Sequence, residues 1–287
     1  MAHWKLTLAY DGTAFHGWQV QPSLATIQGT LAATLHHITG ETVLPQGSGR
    51  TDAGVHALAQ VATVTLNVPI PAANLIRALN RALPPAIRVL AADVVPESFH
   101  ARHSAIRKTY EYRIFPRVPP NRESPDAICP PFLAPYVWDC PWPIDLTLAN
   151  RAAAHILGEH NFASFAASDP DQSERAAGAP CLDSETWDRR PTHPRSSIRR
   201  IDSSQWTCED GLLIYRVTGS GFLHHMVRNL VGTFVDVATC RLEPNAIPRI
   251  LAKKDRSVAG QTAPARGLFL VSVEYPEQPI HSPAGEP

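Results

Sequence analysis

A β-α-β-β-α-β order of elements can be read twice along the 287 residues. That repetition predicts an α+β protein of two ferredoxin-like, RRM-like halves with mainly antiparallel sheets. Two further observations agree. At about 150 residues per domain the length corresponds to roughly 1.9 domains. Hydrophobic residues make up 44% of the chain, enough to bury a core in each half, which excludes global disorder. The boundary falls near Glu97–Ile106, giving an N-terminal domain of residues 1–103, a C-terminal domain of residues 104–276 and a frayed tail of residues 277–287.

In the first half, Trp4, Leu6, Leu8 and Tyr10 alternate with polar residues, as a half-buried strand requires. Ser23–Ile38 has Ile27, Leu31, Leu35 and Ile38 at helical spacing, with Gly40 as its stop. Thr42–Gln46 predicts a short strand, Gly47–Gly54 a glycine-rich loop, and Gln60–Leu66 a β-branched strand. Pro71 opens a helix carrying Leu75, Leu79 and Leu83, which Pro84-Pro85 stops, and Ile87–Val95 is the closing strand.

The second half begins with a strand at Arg107–Phe115, on which Tyr110, Tyr112 and Ile114 share a face. Leu146–Leu157 is a helix burying Leu146, Ala149, Ala153 and Ile156. Ile198–Cys208 and Leu212–Thr218 are adjacent strands turning at Glu209-Asp210-Gly211. Phe222–Ala238 is an apolar helix, Pro244–Lys254 a shorter amphipathic one, and Leu268–Tyr275 the last strand. Arg117–Pro135 is Pro-rich and irregular. Ser168–Ser197 is polar and aperiodic, a long surface loop of the kind that is functional or disordered.

Composition removes several classes of function. The five cysteines are scattered without a C-x-x-C pair, so neither a disulfide framework nor a zinc knuckle is indicated. No apolar run approaches the ~20 residues of a membrane span, and Met1–Lys5 carries no secretory h-region. A cytoplasmic setting is the expectation. Lys+Arg 26 cancels Asp+Glu 26, so any attraction for polyanions must be local. It is local in two places. Arg102, Arg107, Lys108, Arg113, Arg117 and Arg122 face only Glu111, with His100 and His103 nearby. Arg189, Arg190, Arg195, Arg199 and Arg200 outnumber Glu185 and Asp188. Such cations form a solvated face or, interleaved with Tyr110, Tyr112 and Phe115, a phosphate track beside a stacking platform.

Few residues stand out as chemical. His36-His37 and His224-His225 are adjacent pairs; on helices their side chains point ~100° apart, so neither is expected to chelate a metal. No G-x-S-x-G, Walker or G-x-G-x-x-G pattern is present, and no cofactor is expected. The conspicuous segment is Gly47–Ala57, in which Asp52 either closes an Asx turn or serves catalysis, with Arg50 beside it to hold a carboxylate ionised. Arg228 sits on a helix apolar nearly all round, which calls for a buried anionic partner.

Gly49-Arg50-Thr51-Asp52-Ala53-Gly54-Val55-His56-Ala57 and Tyr10-Asp11-Gly12-Thr13-Ala14-Phe15-His16-Gly17-Trp18-Gln19 resemble signature blocks of the TruA family of tRNA pseudouridine synthases. Phe99–Arg102, Lys108–Tyr112, Phe222–Asn229 and Thr262–Leu268 resemble further blocks in the same order, so the likeness runs from about Lys5 to Tyr275. It implies two α/β domains flanking a central cleft, and isomerisation of uridine to pseudouridine at tRNA positions 38, 39 and 40. By the same resemblance Asp52 is the nucleophile and Tyr110 packs on the target base. Arg50 helps displace the base, and Arg228 pairs with the catalytic carboxylate. The family works as homodimers on the tRNA anticodon arm, without metal or cofactor. Asn161 departs from the family's usual Asp, and Ser168–Ser197 is longer than is typical.

These residue types suit that reaction. Pseudouridine formation breaks N1–C1′, turns the uracil and joins C5 to C1′, with no net redox change. An aspartate, with an ordinary pKa of about 3.9, is an anion at neutral pH and can add to C6, attack C1′ or assist elimination there. The base must first be flipped out at a cost of a few kcal/mol, and an aromatic face returns roughly 1–3 kcal/mol by stacking. Two rivals remain at this level. One is a non-catalytic RNA-binding module, although the aromatic RNP1 pattern is missing; the other is a metal-free nucleoside or glycoside hydrolase.

Overall fold

The computed structural model describes residues 1–118, 127–167 and 196–276. Arg122, most of the Ser168–Ser197 stretch with Arg189, Arg190 and Arg195, and the tail at 277–287 lie outside the described residues. The first half contributes β1 (Ala2–Tyr10), α1 (Ile27–Thr39), β2 (Gln46–Gly47), β3 (His56–Leu66), α2 (Ala72–Ala82) and β4 (Ile87–Val94). The second contributes β5 (Arg107–Pro116), β6 (Trp138–Cys140), α3 (Leu146–Ala154), β7 (Gly158–Asn161), β8 (Ile198–Glu209), β9 (Leu212–Gly219), α4 (Met226–Ala238), α5 (Ala246–Lys253) and β10 (Leu268–Glu274). The fold is mixed α/β with a mainly antiparallel sheet.

All the strands among the described residues belong to one sheet, in the order β4-β1-β3-β10-β5-β9-β8-β7, with β2 on β3 and β6 on β5. The joint between the halves is the pairing of β10 with β3. It is parallel and only two residues long, Phe269 with His56 and Leu270 with Ala57. On its other edge β10 is antiparallel to β5. Side-chain alternation sets which face is dry: Trp4, Leu6, Leu8 and Tyr10 are buried, while the residues between them are half-exposed.

Local chemistry explains most boundaries. Thr26 caps α1 through its hydroxyl, and Gly40 closes it in the left-handed region at φ 74°. Asn80 of α2 clasps Val89 of β4 through both amide groups at 2.8 Å, and Asn150 of α3 clasps Trp206 of β8 at 3.0 and 2.9 Å. α4 is buried along nearly its whole length, as its apolar sequence requires.

Four elements differ from the sequence reading. The strand expected at Thr42–Gln46 forms only at Gln46–Gly47, because Pro45 has no N–H to donate and its carbonyl accepts the Gln28 Nε2 instead, at 2.9 Å. The apolar helix starts at Met226 rather than Phe222, since His225 takes a left-handed φ of 58°. The three- and four-residue strands β6 and β7 were not foreseen; they are too short to show a period.

The β8–β9 turn is a two-residue loop, with Asp210 at φ 49° and Gly211 at φ 79° between the paired Glu209 and Leu212. Positive φ at both positions matches the strand twist, and Asp-Gly supplies it. Gly211→Val is expected to lower stability by about 1–2 kcal/mol through left-handed strain alone; chemical denaturation checks this, and an unchanged midpoint would contradict the turn assignment.

Candidate active site

The site is built where two loops of the first half lie against the start of α4. Residues 11–18 follow β1, and residues 48–55 precede β3. The loops are stitched together by Trp18 N–H donating to Thr51 O (3.0 Å) and Gly54 N–H to Phe15 O (3.2 Å). Gly17, at φ +84°, lies so close that a Cβ there would meet the Thr51 carbonyl at 2.5 Å. Only glycine permits this approach. Below the loop, Tyr10 OH shares a hydrogen with Thr51 Oγ1 (2.8 Å), Gln60 Nε2 donates to Gly49 O (3.0 Å), and Lys108 Nζ donates to Ser48 O (2.5 Å). Asp52 therefore projects from a loop pinned on several sides.

Its carboxylate meets three nitrogen groups from the other half. Arg228 Nη1 donates to Oδ2 at 3.1 Å, His225 Nε2 lies 3.3 Å from Oδ2, and His224 Nε2 lies 3.4 Å from Oδ1. The Asp52 side chain is 17% exposed and Arg228 15%, so the pair is partly desolvated yet open to a ligand. Arg228 cannot swing freely, because its Nε donates to Ala263 O at 2.8 Å and Ala263 N–H returns a bond to the Arg228 carbonyl at 3.1 Å. Next to it Asn229 receives Arg256 Nη2 (3.0 Å) and Thr262 Oγ1 (2.7 Å), tying the 256–262 segment to the same helix.

Burial, aided by His224, Arg228 and Arg256, pushes the His225 pKa below its ordinary value; Asp52 opposes this without overcoming it. His225 is thus a neutral imidazole at physiological pH. Tyr110 on β5 is buried, its ring edge-on to Phe222 at 5.0 Å. Burial first, then the charges of Tyr10 and Asp52, raise its pKa well above that of a free phenol. Tyr112 is fully buried, its hydroxyl donating to Pro264 O at 2.7 Å, so it is a core residue.

The structure brings together Asp52 and Arg228, as the sequence suggested. Arg50 is exposed in the same loop, and the polar contacts of Asp52 run to His224, His225 and Arg228 instead. The two histidines correct the sequence reading, which set them aside as an adjacent helical pair. They precede the helix, and the turn at His225 stacks their rings at 4.0 Å and 29°. Both Nε2 atoms then reach Asp52. The i, i+3 spacing of His225 and Arg228 was the one available signal, since it places both on one side.

The basic strip is corrected too. Alternation along β5 sends Arg107, Arg113 and Arg117 to the face opposite Tyr110. There Arg113 pairs with Glu111 (2.7 Å) and Arg117 with Asp139 (2.7 Å). Lys108 alone of these strand cations shares the Tyr110 face; burial lowers its pKa to about 8, with Arg102 and Arg199 adding like charge. Asn161 accepts the Ala163 N–H at 3.0 Å, a turn-capping bond that an aspartate would also make.

His56 links the halves beneath the site. Its Nδ1 accepts the Gly12 N–H at 3.1 Å, its Nε2 donates to Arg266 O at 3.1 Å, and its ring stacks on Phe269. Burial lowers its pKa although Asp11 at 3.2 Å pulls the other way. The unfolded chain then binds more protons below about pH 6.5, so stability falls on acidification. Thermal melts from about pH 7 to about pH 5 should show a steeper drop for the wild type than for His56→Gln; parallel curves would contradict the neutral assignment.

An α+β sheet presenting one carboxylate to two imidazoles and a guanidinium has the donor set of an acid–base or nucleophilic enzyme. The sequence model of the family described as tRNA pseudouridine synthase matches residues 7–104 and 182–276. The tRNA pseudouridine synthase A of Solibacter usitatus is 46% identical over 272 residues, covering 94% of this chain and 98% of its own. Those of Moorella thermoacetica and Maridesulfovibrio salexigens are 41% and 38% identical, covering 94% and 95% of this chain and 98% and 90% of their own. The chain belongs to the tRNA pseudouridine synthase family, and it is an isomerase. No helix among the described residues is long and apolar enough to cross a membrane.

Proposed function

We propose that the chain converts uridine to pseudouridine at positions 38, 39 and 40 of the tRNA anticodon arm, as a cytoplasmic homodimer, with Asp52 as nucleophile and no cofactor. The observation that carries this reading is the anchored Asp52 carboxylate, fixed by Arg228 and still open to a ligand. Arg228 and His225 share Oδ2, whereas Oδ1 has only the longer His224 contact, so Oδ1 is the oxygen left to attack.

In the reaction the N1–C1′ bond breaks, the ring turns, C5 joins C1′, and the C5 proton passes to solvent while N1 gains one. Arg228 supports negative charge on the carboxylate before attack and again when the adduct breaks and the carboxylate is released. Tyr110 offers a ring to the extruded uracil once Phe222 yields its edge. With its pKa raised, the Tyr110 hydroxyl stays protonated, and it relays the C5 proton only by passing on its own in the same step. Lys108, Arg102 and Arg199 crowd one another with positive charge and suit the RNA backbone. Arg50, in the same loop, assists displacement of the base.

With tRNA carrying tritium at uridine C5, wild-type enzyme is expected to release tritium to water without free uracil. Asp52→Asn should abolish release while tRNA binding changes little; a variant keeping about a tenth of the rate would remove Asp52 as nucleophile. Free uracil would instead indicate a hydrolase, and no release a binding module. Tyr110→Ala should lower kcat/KM roughly 10- to 100-fold, the worth of one stacked base. Tyr110→Phe keeps the ring and isolates the hydroxyl, so its loss should fall on kcat with KM unmoved; wild-type activity in the Ala variant would rule out the platform.

A further inference from the structure

We propose that Asp52, His224 and His225 form a divalent-cation site of the zinc type, in which the bound ion takes the carboxylate oxygen needed for attack and so competes with the RNA. The site itself follows from geometry alone; the competition rests on the reading of Asp52 as nucleophile.

One ligand atom from each of the three residues lies within 4.8 Å of the other two. The carboxylate–imidazole separations, 3.4 Å from Oδ1 to His224 Nε2 and 3.3 Å from Oδ2 to His225 Nε2, are short enough for the three groups to close on one ion with zinc–ligand bonds of ~2.0–2.1 Å after small side-chain rotations. This spacing is a product of the fold. The left-handed turn at His225 stacks the two rings, and the pinned 48–55 loop delivers the carboxylate opposite them. Two imidazoles and one carboxylate are a donor set that zinc accepts, with water in the fourth position. The histidine side chains are 30% and 28% exposed, so an ion has a way in from solvent.

Arg228 decides how strong the site is. Its guanidinium holds Oδ2 at 3.1 Å and is itself anchored on Ala263 O, so an ion must settle on the Oδ1 side and bear a nearby positive charge. That repulsion makes the site reversible rather than a permanent structural centre. Removing the charge should therefore tighten metal binding, an outcome no nonspecific histidine site on the surface would share.

The test uses the full chain, stripped of metal, titrated with zinc chloride by calorimetry and with cobalt(II) by visible absorption. One equivalent is expected to bind, with the cobalt spectrum of a low-coordinate N/O site. His224→Gln, His225→Gln and Asp52→Asn should each weaken binding by at least ~10- to 100-fold, the loss that even an outer-shell partner causes. Arg228→Gln should strengthen it, and His36→Gln with His37→Gln should leave it unchanged. An anticodon stem-loop RNA should raise the apparent dissociation constant for zinc, and saturating zinc should suppress tritium release until a chelator restores it. Absence of a one-equivalent site, or equal affinity in the His224→Gln/His225→Gln double variant, would overturn the site. Tight binding at these residues without loss of activity would overturn the competition, and with it the assignment of Asp52.

Discussion

The contact between Asp52 and Arg228, made across 176 positions of sequence, is the constraint on which the rest of the site depends. A partly buried carboxylate is costly without a partner, and an arginine on an apolar helix is costly for the same reason. Each makes the other tolerable. The contact also sets the direction of both groups, since a guanidinium anchored at Nε can offer its remaining nitrogens only one way. The second carboxylate oxygen has only the longer contact to His224 among the described residues, so the two oxygens are not equivalent.

Holding two halves of a chain to this tolerance falls to a narrow joint. β10 lies between β3 and β5, and its bond to β3 is only two residues wide. His56 reinforces the joint by bridging Gly12 to Arg266 and stacking on Phe269. The same histidine stands four residues after Asp52, so the element that carries the carboxylate also docks on the strand from the opposite half.

The distribution of charge follows the same economy of placement. A run of arginines along β5 is a single basic stretch in sequence, but the pleat deals its members to two faces. Arg107, Arg113 and Arg117 are matched by Asp202, Glu111 and Asp139, and Arg113 also covers Phe269 at 4.0 Å. They stabilise the sheet. Lys108, on the Tyr110 face, fastens the Asp52 loop through Ser48, with Arg102 and Arg199 adding charge nearby.

By itself the sequence determined most of the element types, the buried faces of β1, α1 and α2, the Asp-Gly turn, the family and the meeting of Asp52 with Arg228. Those are set by local spacing and by motif, which survive without knowledge of distant contacts. Tertiary structure alone decided that His224 and His225 face Asp52, because one left-handed residue turns them out of the helix that periodicity predicted. It alone decided that Pro45 shortens β2, that the basic run divides between two faces, and that the ion pairs of Asp52 run to the other half rather than to Arg50. The physical reason is common to all four. Which groups meet a carboxylate, a carbonyl or a sheet edge depends on backbone brought from far along the chain, and no local window contains it.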